Sequence, residues 1–287
     1  MKEPRSFDVS SWVGRSTCVS ATLGLGPLAE FDALMDTGQT PLRRAADPMP
    51  TLSHWLYFHP SAIAQRDLGR DGLPLRTPLY SDAPFAHRVW GGSEVEFIRQ
   101  LHVGAMVEKK STITSAQLKT GRRGRLLVVQ ISHEFRMGEQ IAVAERQQIV
   151  FLEKRTTPPA DAPVVGRTGA TMNRRFDADP VRLFRYSALT RNTHRIHFDR
   201  NYAVDEEGYS GLVIPGPLLA MLLGDLLAEK MPERQLAKFS FRAVSPLCDG
   251  EIQCCGRAGD DEKTTELWVQ DAEGRIGMKA TASFALP

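Results

Sequence analysis

Two stretches of the chain carry the same short pattern, and this internal repeat constrains the fold more than any other feature. Each copy has an aromatic residue, a leucine and a glycine three positions apart, and a later Gly-Arg pair: Phe97, Leu101, Gly104 and Gly124-Arg125 in the first copy, and Phe241, Leu247, Gly250 and Gly274-Arg275 in the second. Apolar and polar residues alternate between these glycines, for example over 107–119 and 264–271, as in antiparallel strands joined by glycine-containing turns. The repeat predicts a duplicated α+β unit, with a chance likeness of two short turn patterns as the alternative.

The second half contains the clearest predicted helix, which opens at the sequence IPGP (214–217) and runs through Met231. Its leucines follow helical spacing, at Leu219, Leu222, Leu223 and Leu226. Pro217 suits the first helical position, where a missing N–H leaves no helical hydrogen bond unmade. A weaker segment, Pro27 to Met35, is the candidate for the matching helix of the first half. The pattern therefore predicts one long helix wrapped by an antiparallel sheet, occurring twice.

A proline-rich stretch marks the boundary between the halves. Residues 157–166 read TPPADAPVVG and follow a strand-like run, as expected of a linker. We predict an N-terminal half over 1–157, a linker over 158–166 and a C-terminal half over 167–287. A chain of 287 residues is long enough for two domains that each bury a core.

Charge and composition exclude several classes of protein. The formal net charge is +2, from 36 basic and 34 acidic side chains, and no basic stripe indicates nucleic-acid binding. No stretch approaches the roughly 20 apolar residues of a membrane helix, and the N-terminus lacks the apolar run of a signal peptide. The four cysteines show no CxxC spacing, so we expect reduced thiols in a cytoplasmic protein.

The stretch from Leu183 to Pro217, LFRYSALTRNTHRIHFDRNYAVDEEGYSGLVIPGP, is the richest in side chains that can perform chemistry. Hydroxyl, amide, imidazole and carboxylate groups are dense in it, and no simple amphipathic period fits them. We therefore predict an ordered loop that leads into the helix. Loops of this kind often carry function.

This stretch resembles the hydratase motif of the MaoC-like double hot-dog hydratases and dehydratases. That motif runs aromatic-Ser-x-x-[Ser/Thr]-Gly-Asp-x-Asn-Pro-Ile-His, and a later glycine opens the helix. The matching positions are Tyr186, Ser187, Thr190, Ile196 and His197. The positions that depart, where the family has Gly, Asp, Asn and Pro, are Arg191, Asn192, His194 and Arg195. These departures are similar to a subgroup that contains the itaconyl-CoA and mesaconyl-C4-CoA hydratases and the type 2 hydroxyacyl-thioester dehydratases.

Other phrases extend this resemblance over most of the chain from about residue 53: HWLYFHP (54–60), DLGRDG (67–72), RVWGGSEVEF (88–97) and FSFRAVSPL (239–247). The resemblance implies an α+β double hot-dog fold whose thioester substrate lies between the halves. It implies reversible hydration of a short branched dicarboxylic enoyl-CoA, itaconyl-CoA or mesaconyl-C4-CoA, to citramalyl-CoA. The alternatives are dehydration of 3-hydroxyacyl thioesters in fatty-acid synthesis and a non-catalytic acyl-CoA binding protein.

Hydration of an α,β-unsaturated thioester needs a base for the attacking water, an acid for the α-carbon and donors for the developing enolate oxygen. We predict His197 as the base, because an imidazole titrates near neutral pH. Asn192 is the candidate to hold the water or the carbonyl. The backbone N–H of Gly216 is the candidate enolate donor, since helix N-termini present free N–H groups. Whether His194 shares the proton transfer is open.

The predicted substrate-binding residues are Arg88, Trp90, Tyr186, His194, Arg195 and Arg242. Arginines suit carboxylate and phosphate groups, a tryptophan beside two glycines suits a tunnel wall, and Tyr186 suits bracing the loop. Solvated arginines and packed aromatic residues are the ordinary alternatives. We expect no metal, because the two histidines of the motif have no suitably spaced third ligand. No flavin or nicotinamide is expected either, coenzyme A is part of the substrate, and a homo-oligomer remains open.

Overall fold

The computed structural model describes residues 9–36, 43–59, 62–80, 83, 85, 87–121, 124–153, 168–259 and 263–285. The predicted linker, 158–166, lies outside these residues. The boundaries of the halves at 157 and 167 therefore stay a prediction.

The described strands form one sheet of ten strands in which all neighbours are antiparallel. Five belong to the first half: β1 (Ser16–Thr22), β2 (His87–Phe97), β3 (Met106–Gly121), β4 (Gly124–Met137) and β5 (Gln140–Leu152). Five belong to the second: β6 (Met172–Ala178), β7 (Leu236–Ala243), β8 (Gly250–Ala258), β9 (Thr264–Asp271) and β10 (Ile276–Phe284). The alternation read from the sequence is real in β3, where Val107 and Ile113 are buried while Glu108 and Lys110 are exposed.

The two halves repeat one strand order. The sheet runs β1-β3-β4-β5-β2-β7-β10-β9-β8-β6, so the first half reads 1-3-4-5-2 and the second reads 6-8-9-10-7 from its own outer edge. The halves meet where β2 pairs with β7, from Gly92 opposite Arg242 to Glu96 opposite Lys238. The predicted duplication and the α+β double hot-dog fold are confirmed.

Three helices accompany the sheet: α1 (Leu25–Met35), α2 (Pro180–Leu189) and α3 (Gly216–Lys230). The helix predicted from the leucine spacing is α3, whose buried side chains pack against β6, β8, β9 and β10. None of the helices that the structure describes is long and apolar enough to cross a membrane.

The prediction that Pro27 to Met35 matches α3 is wrong. This segment is helical, but α1 follows β1 as α2 follows β6, and the two helices contact each other. The true counterpart of α3 is found through two isolated bridges, Pro48 with His102 and Val213 with Cys248, which occupy equivalent places. Between the first bridge and β2 the described residues form only two short 3-10 turns, Ser53–Leu56 and Gln65–Asp67, whereas α3 follows the second bridge. The described part of the first half therefore has no long helix in the place of α3.

The predicted equivalence of the two Gly-Arg turns is also wrong. Gly104 and Gly250 are equivalent, since they stand at the start of β3 and β8 and both have positive φ, 88° and 131°. Gly124, however, begins β4, whereas Gly274 precedes β10, whose counterpart is β5. Gly138, between β4 and β5, is the true equivalent of Gly274. Because β3 has 16 residues and β8 has nine, equal spacing along the sequence falls on different hairpins.

The segment 183–217 is not a single loop as predicted, because its first part belongs to α2. Asp179 caps this helix by accepting hydrogen bonds from the N–H groups of Val181 (2.8 Å) and Arg182 (3.2 Å), and Pro180 takes the first helical position. After α2 come the 3-10 turn Arg195–His197 and a π-helical turn, Tyr202–Glu206. Residues 190–197, which follow α2, include the 3-10 turn and contain two of the predicted catalytic residues, are called the catalytic loop below.

Candidate active site

A cavity of about 1050 Å³ lies between the halves, and both halves line it. The first half contributes the segment 69–76 and parts of β2 and β5, and the second contributes the catalytic loop and the N-terminus of α3. Six predicted residues line it together: Arg88, Trp90, Asn192, His194, His197 and Gly216. The cavity therefore unites most of the chemistry read from the sequence.

His197 is buried, with 7% of its surface exposed, and one backbone carbonyl fixes its ring. Its Nδ1 lies 2.7 Å from the carbonyl oxygen of Val213. Since a carbonyl only accepts, Nδ1 carries the hydrogen and Nε2 is the basic nitrogen. Val213 is itself anchored, because its N–H donates to the carbonyl of Ile196 at 2.9 Å. Burial lowers the pKa of His197 to about 4, although the Val213 hydrogen bond raises it, so the imidazole is neutral at pH 7.

His194 lies beside this base. The two ring centroids are 5.3 Å apart and the ring planes stand at 87°. Burial, and after it the neighbouring His197 and Arg88, lower the pKa of His194 to about 3. The site thus holds two neutral imidazoles, and Arg88 is near enough for its positive charge to act on one of them.

Asn192 lies in a tight turn at the end of α2. The preceding Arg191 has a left-handed backbone, with φ of 50°, and the N–H of Asn192 donates to the carbonyl of Ser187 at 2.8 Å. The side-chain Oδ1 accepts from the N–H of His194 at 3.1 Å. This bond orients the amide so that its NH2 group is left to donate to a ligand in the cavity.

The N-terminus of α3 provides backbone donors at the cavity. The first N–H groups of a helix have no partner within it, and Pro217 has no N–H to offer, so the N–H of Gly216 is the first available donor. The ring of Trp90 covers this position: a Cβ on Gly216 would lie 2.6 Å from Cε3 of Trp90. Glycine is required here by this close approach.

Arg88 and Tyr80 form a polar group on the first-half wall. Nη1 of Arg88 donates to Oη of Tyr80 at 2.8 Å, and the guanidinium lies 5.7 Å from the centroid of that ring. The sequence analysis missed Tyr80, because nothing in its local pattern distinguishes it. Apolar side chains such as Phe85 and Phe151 line the same wall.

Three predicted substrate-binding residues do not line the cavity. Tyr186 is 1% exposed and its Oη lies 3.7 Å from Sδ of Met221 in the core. Arg195 forms an ion pair with Asp199 at 2.8 Å. Arg242 is exposed, because its neighbour Phe241 takes the inward face of β7 and successive side chains of a strand alternate.

The described residues contain no group of three or more His, Cys, Asp or Glu side chains that could hold a metal ion. The expectation that the site uses no metal or organic cofactor remains a prediction.

Comparison with known sequences gives consistent matches. A family model described as "Hydroxyacyl-thioester dehydratase type 2" matches residues 52–249. A mesaconyl-C(4)-CoA hydratase of Chloroflexus aurantiacus is 34% identical over 281 residues, which are 97% of this chain and 99% of that protein. A mitochondrial hydroxyacyl-thioester dehydratase type 2 of Schizosaccharomyces pombe is 26% identical, over 75% of this chain and 78% of that protein.

Solved structures resemble the fold. A MaoC-like dehydratase from Phytophthora capsici superposes with a TM-score of 0.70 at 15% identity, covering 98% of this chain and all of that one. HtdX of Mycobacterium tuberculosis gives a TM-score of 0.63 at 16% identity, covering 94% and 100%. A third protein, also from M. tuberculosis and described as a double hotdog fold, gives 0.55 at 12% identity, covering 95% and 96%. At these identities the likeness shows the fold alone.

Proposed function

The chain belongs to the hydroxyacyl-thioester dehydratase type 2 family, and on this premise we propose that it is a hydro-lyase that reversibly hydrates a short branched dicarboxylic enoyl-CoA. Mesaconyl-C4-CoA is the preferred substrate and citramalyl-CoA the product. The cationic side chain of Arg88, in the same cavity as the basic nitrogen of His197, is the observation that carries the choice of a dicarboxylic acyl group.

Each step of the hydration has a group in the cavity. Nε2 of His197 takes a proton from water while the water oxygen attacks the β-carbon, and the NH2 group of Asn192 holds that water. Negative charge moves to the thioester oxygen, where the N–H of Gly216 stabilises it. The imidazolium then returns its proton to the α-carbon. The hydroxyl and the hydrogen of one water molecule are thus added, and the histidine ends neutral.

The position of Arg88 fits an acyl group with its carboxylate on the carbon that receives the hydroxyl. In mesaconyl-C4-CoA the free carboxylate is attached to that β-carbon, so it lies within a few ångströms of the attacking water. Arg88, His194 and His197 line the same cavity, and the positive charge of Arg88 contributes to the lowered pKa of His194. An arginine fork suits a carboxylate both in charge and in shape.

The location and the requirements of the reaction complete the proposal. Water is the only second reactant, so no metal, flavin or nicotinamide is needed. The four cysteines are free thiols, which supports a cytoplasmic location.

The test is turnover of mesaconyl-C4-CoA and of crotonyl-CoA, followed by loss of the conjugated enoyl-thioester absorbance. We expect Arg88→Gln to lower kcat/KM for mesaconyl-C4-CoA about 100-fold and to leave crotonyl-CoA hydration nearly unchanged. Arg242→Gln is the matched control, because this arginine lies outside the cavity, and it should change neither value.

Three outcomes would contradict this assignment. Hydration of crotonyl-CoA alone would favour dehydration of 3-hydroxyacyl thioesters in fatty-acid synthesis, which the dehydratase relatives and the apolar part of the cavity wall also fit. Binding of both thioesters without turnover would favour a non-catalytic acyl-CoA binding protein. An equal loss for both substrates in Arg88→Gln would remove the carboxylate role of this residue.

A further inference from the structure

A turn of the first half is fastened to the catalytic loop of the second. Three hydrogen bonds join them: Thr193 Oγ1 to the carbonyl of Gly72 (2.6 Å), the N–H of Arg195 to the carbonyl of Asp71 (2.9 Å), and Nη1 of Arg195 to the carbonyl of Arg70 (3.0 Å). Three consecutive carbonyls of the turn therefore accept from two residues of the loop. We call residues 69–73 the clamp turn.

The clamp turn is built to present these carbonyls. The N–H of Gly69 donates to the carbonyl of Leu73 (2.7 Å) and that of Gly72 to the carbonyl of Gly69 (2.9 Å). Oδ1 of Asp71 accepts from the N–H of Leu73 (2.9 Å). These bonds close the turn on itself and hold the three carbonyls that face the catalytic loop.

Gly72 permits the close approach. It has a left-handed backbone, with φ of 83°, and a Cβ at this position would lie 2.1 Å from the carbonyl oxygen of Thr193. An L-residue there would both strain the backbone and push the loop away. The contact between the halves depends on this glycine.

The clamped residues lie next to the groups that perform the chemistry. Thr193 and Arg195 flank His194, and the 3-10 turn that carries His197 begins at Arg195. The N–H of His197 donates to the carbonyl of His194 at 3.1 Å. The guanidinium of Arg195 also holds Asp199 beyond this turn (2.8 Å). Holding Arg195 from the first half therefore restrains the backbone on both sides of it, at His194 and in the turn that carries His197.

We propose that the clamp turn positions the catalytic loop, with Thr193 and Gly72 as positioning residues, so that the second half becomes competent only when the first half holds it. The first half then has two functions: it supplies Arg88 to the cavity, and it keeps His194 and His197 in place opposite that arginine. This inference rests on the proposed hydration for its kinetic test only.

The test compares Thr193→Val, which removes the hydroxyl, with Thr193→Ser, which keeps it. Because a lost hydrogen bond displaces the base without removing a substrate contact, we expect Thr193→Val to lower kcat about 10-fold with KM nearly unchanged, and Thr193→Ser to stay near the parent. Thr114→Val is the matched control, since the hydroxyl of this exposed residue bonds to the carbonyl of Gln130 on a neighbouring strand and not to the catalytic loop. Gly72→Ala should lower kcat further than Thr193→Val.

A second readout needs no substrate. Amide hydrogen exchange at Arg195 and His197 should be faster in Thr193→Val and Gly72→Ala than in the parent, Thr193→Ser and Thr114→Val, with the rest of the fold unchanged. If the parent does not hydrate the thioesters tested but the exchange pattern holds, the proposed substrate fails and the clamp stands. Parental exchange in Thr193→Val and Gly72→Ala would overturn the clamp, and so would parental kcat in both variants.

Discussion

The two halves share a strand order but fill their interiors differently. A row of residues across β8, β9 and β10 in the second half, Cys254, Val269 and Met278, is apolar and fully buried beneath α3. A row across the corresponding strands β3, β4 and β5 in the first half, Ser111, His133 and Glu145, is polar and also buried. The same scaffold therefore holds an apolar row in one half and, among apolar neighbours, a polar row in the other.

The long central helix, which the described residues form in only one half, explains the difference. A 15-residue helix brings a continuous apolar surface to its sheet, whereas the 3-10 turn Ser53–Leu56 brings His54 and Trp55. Their ring nitrogens require partners when buried. Glu145 accepts from Nε1 of Trp55 (3.0 Å) and from Oγ of Ser93 (2.6 Å). The polar row thus satisfies the indole N–H of Trp55, whereas Nε2 of His54 is buried without a hydrogen-bond partner among the described residues. The long central helix, with its N-terminal donors, is described in the half that carries the proposed base His197.

The largest expected difference between the two halves is the effect on kcat of replacing a buried histidine in each. We expect His197→Ala to lower kcat about 1000-fold, because a general base is worth about 10²- to 10⁴-fold. His133→Ala should leave kcat within a few-fold, since this ring lies in the polar row and bonds through Nδ1 to Oγ of Ser111 (2.8 Å). Steady-state kinetics of the two variants measures the contrast. Comparable losses in kcat would mean that the first-half histidine also takes part in the chemistry.

The polar row can be broken at its carboxylate. Glu145→Ala leaves the Trp55 and Ser93 donors buried without an acceptor, so we expect the free energy of unfolding to fall by about 3 kcal/mol. Urea denaturation measures it. Glu139→Ala, at an exposed turn position, is the control and should change the free energy by less than about 0.5 kcal/mol. A neutral result at Glu145 would show that the row does not stabilise the first half.

Lowering the pH should affect catalysis and stability in different ranges, because both depend on the protonation of buried histidines. The neutral imidazole of His197 is the active form, and its pKa is about 4, so kcat/KM should stay level from pH 7 to 5 and fall about tenfold per unit below pH 4. His54, with a pKa lowered by burial to about 3, is also neutral in the folded protein. The unfolded chain protonates both from about pH 6.5 downward, so the free energy of unfolding should decline between pH 6.5 and 5 while kcat/KM stays level. A rate profile with a midpoint near 6.5 would contradict this.

The sequence predicted what depends on local pattern. The leucine spacing located α3, and the matching motif positions located His197 and the loop around it. Local pattern failed where tertiary pairing decides. Whether Arg242 or Phe241 faces inward depends on the register of β7 with β2, and whether Arg195 turns to substrate or to Asp199 depends on the clamp turn.

The same limit hid the relations between distant segments. The Thr193 hydroxyl meets the Gly72 carbonyl across 121 positions of sequence, and two glycines in DLGRDG do not indicate such a partner. The sequence analysis matched α1 to α3 because both segments are helical, and a missing helix leaves no pattern in the sequence. The equivalent bridges Pro48–His102 and Val213–Cys248 showed that α1 does not occupy the place of α3.

The seam between β2 and β7 restricts how reactants come and go. Five consecutive residue pairs join the two halves into one sheet, and swinging the halves apart like a clamshell would rupture this ladder. The acyl group must instead enter the cavity along its length while the two halves stay joined. We therefore expect substrate entry and product release to take place at the edge of the cavity, without a large movement of one half relative to the other.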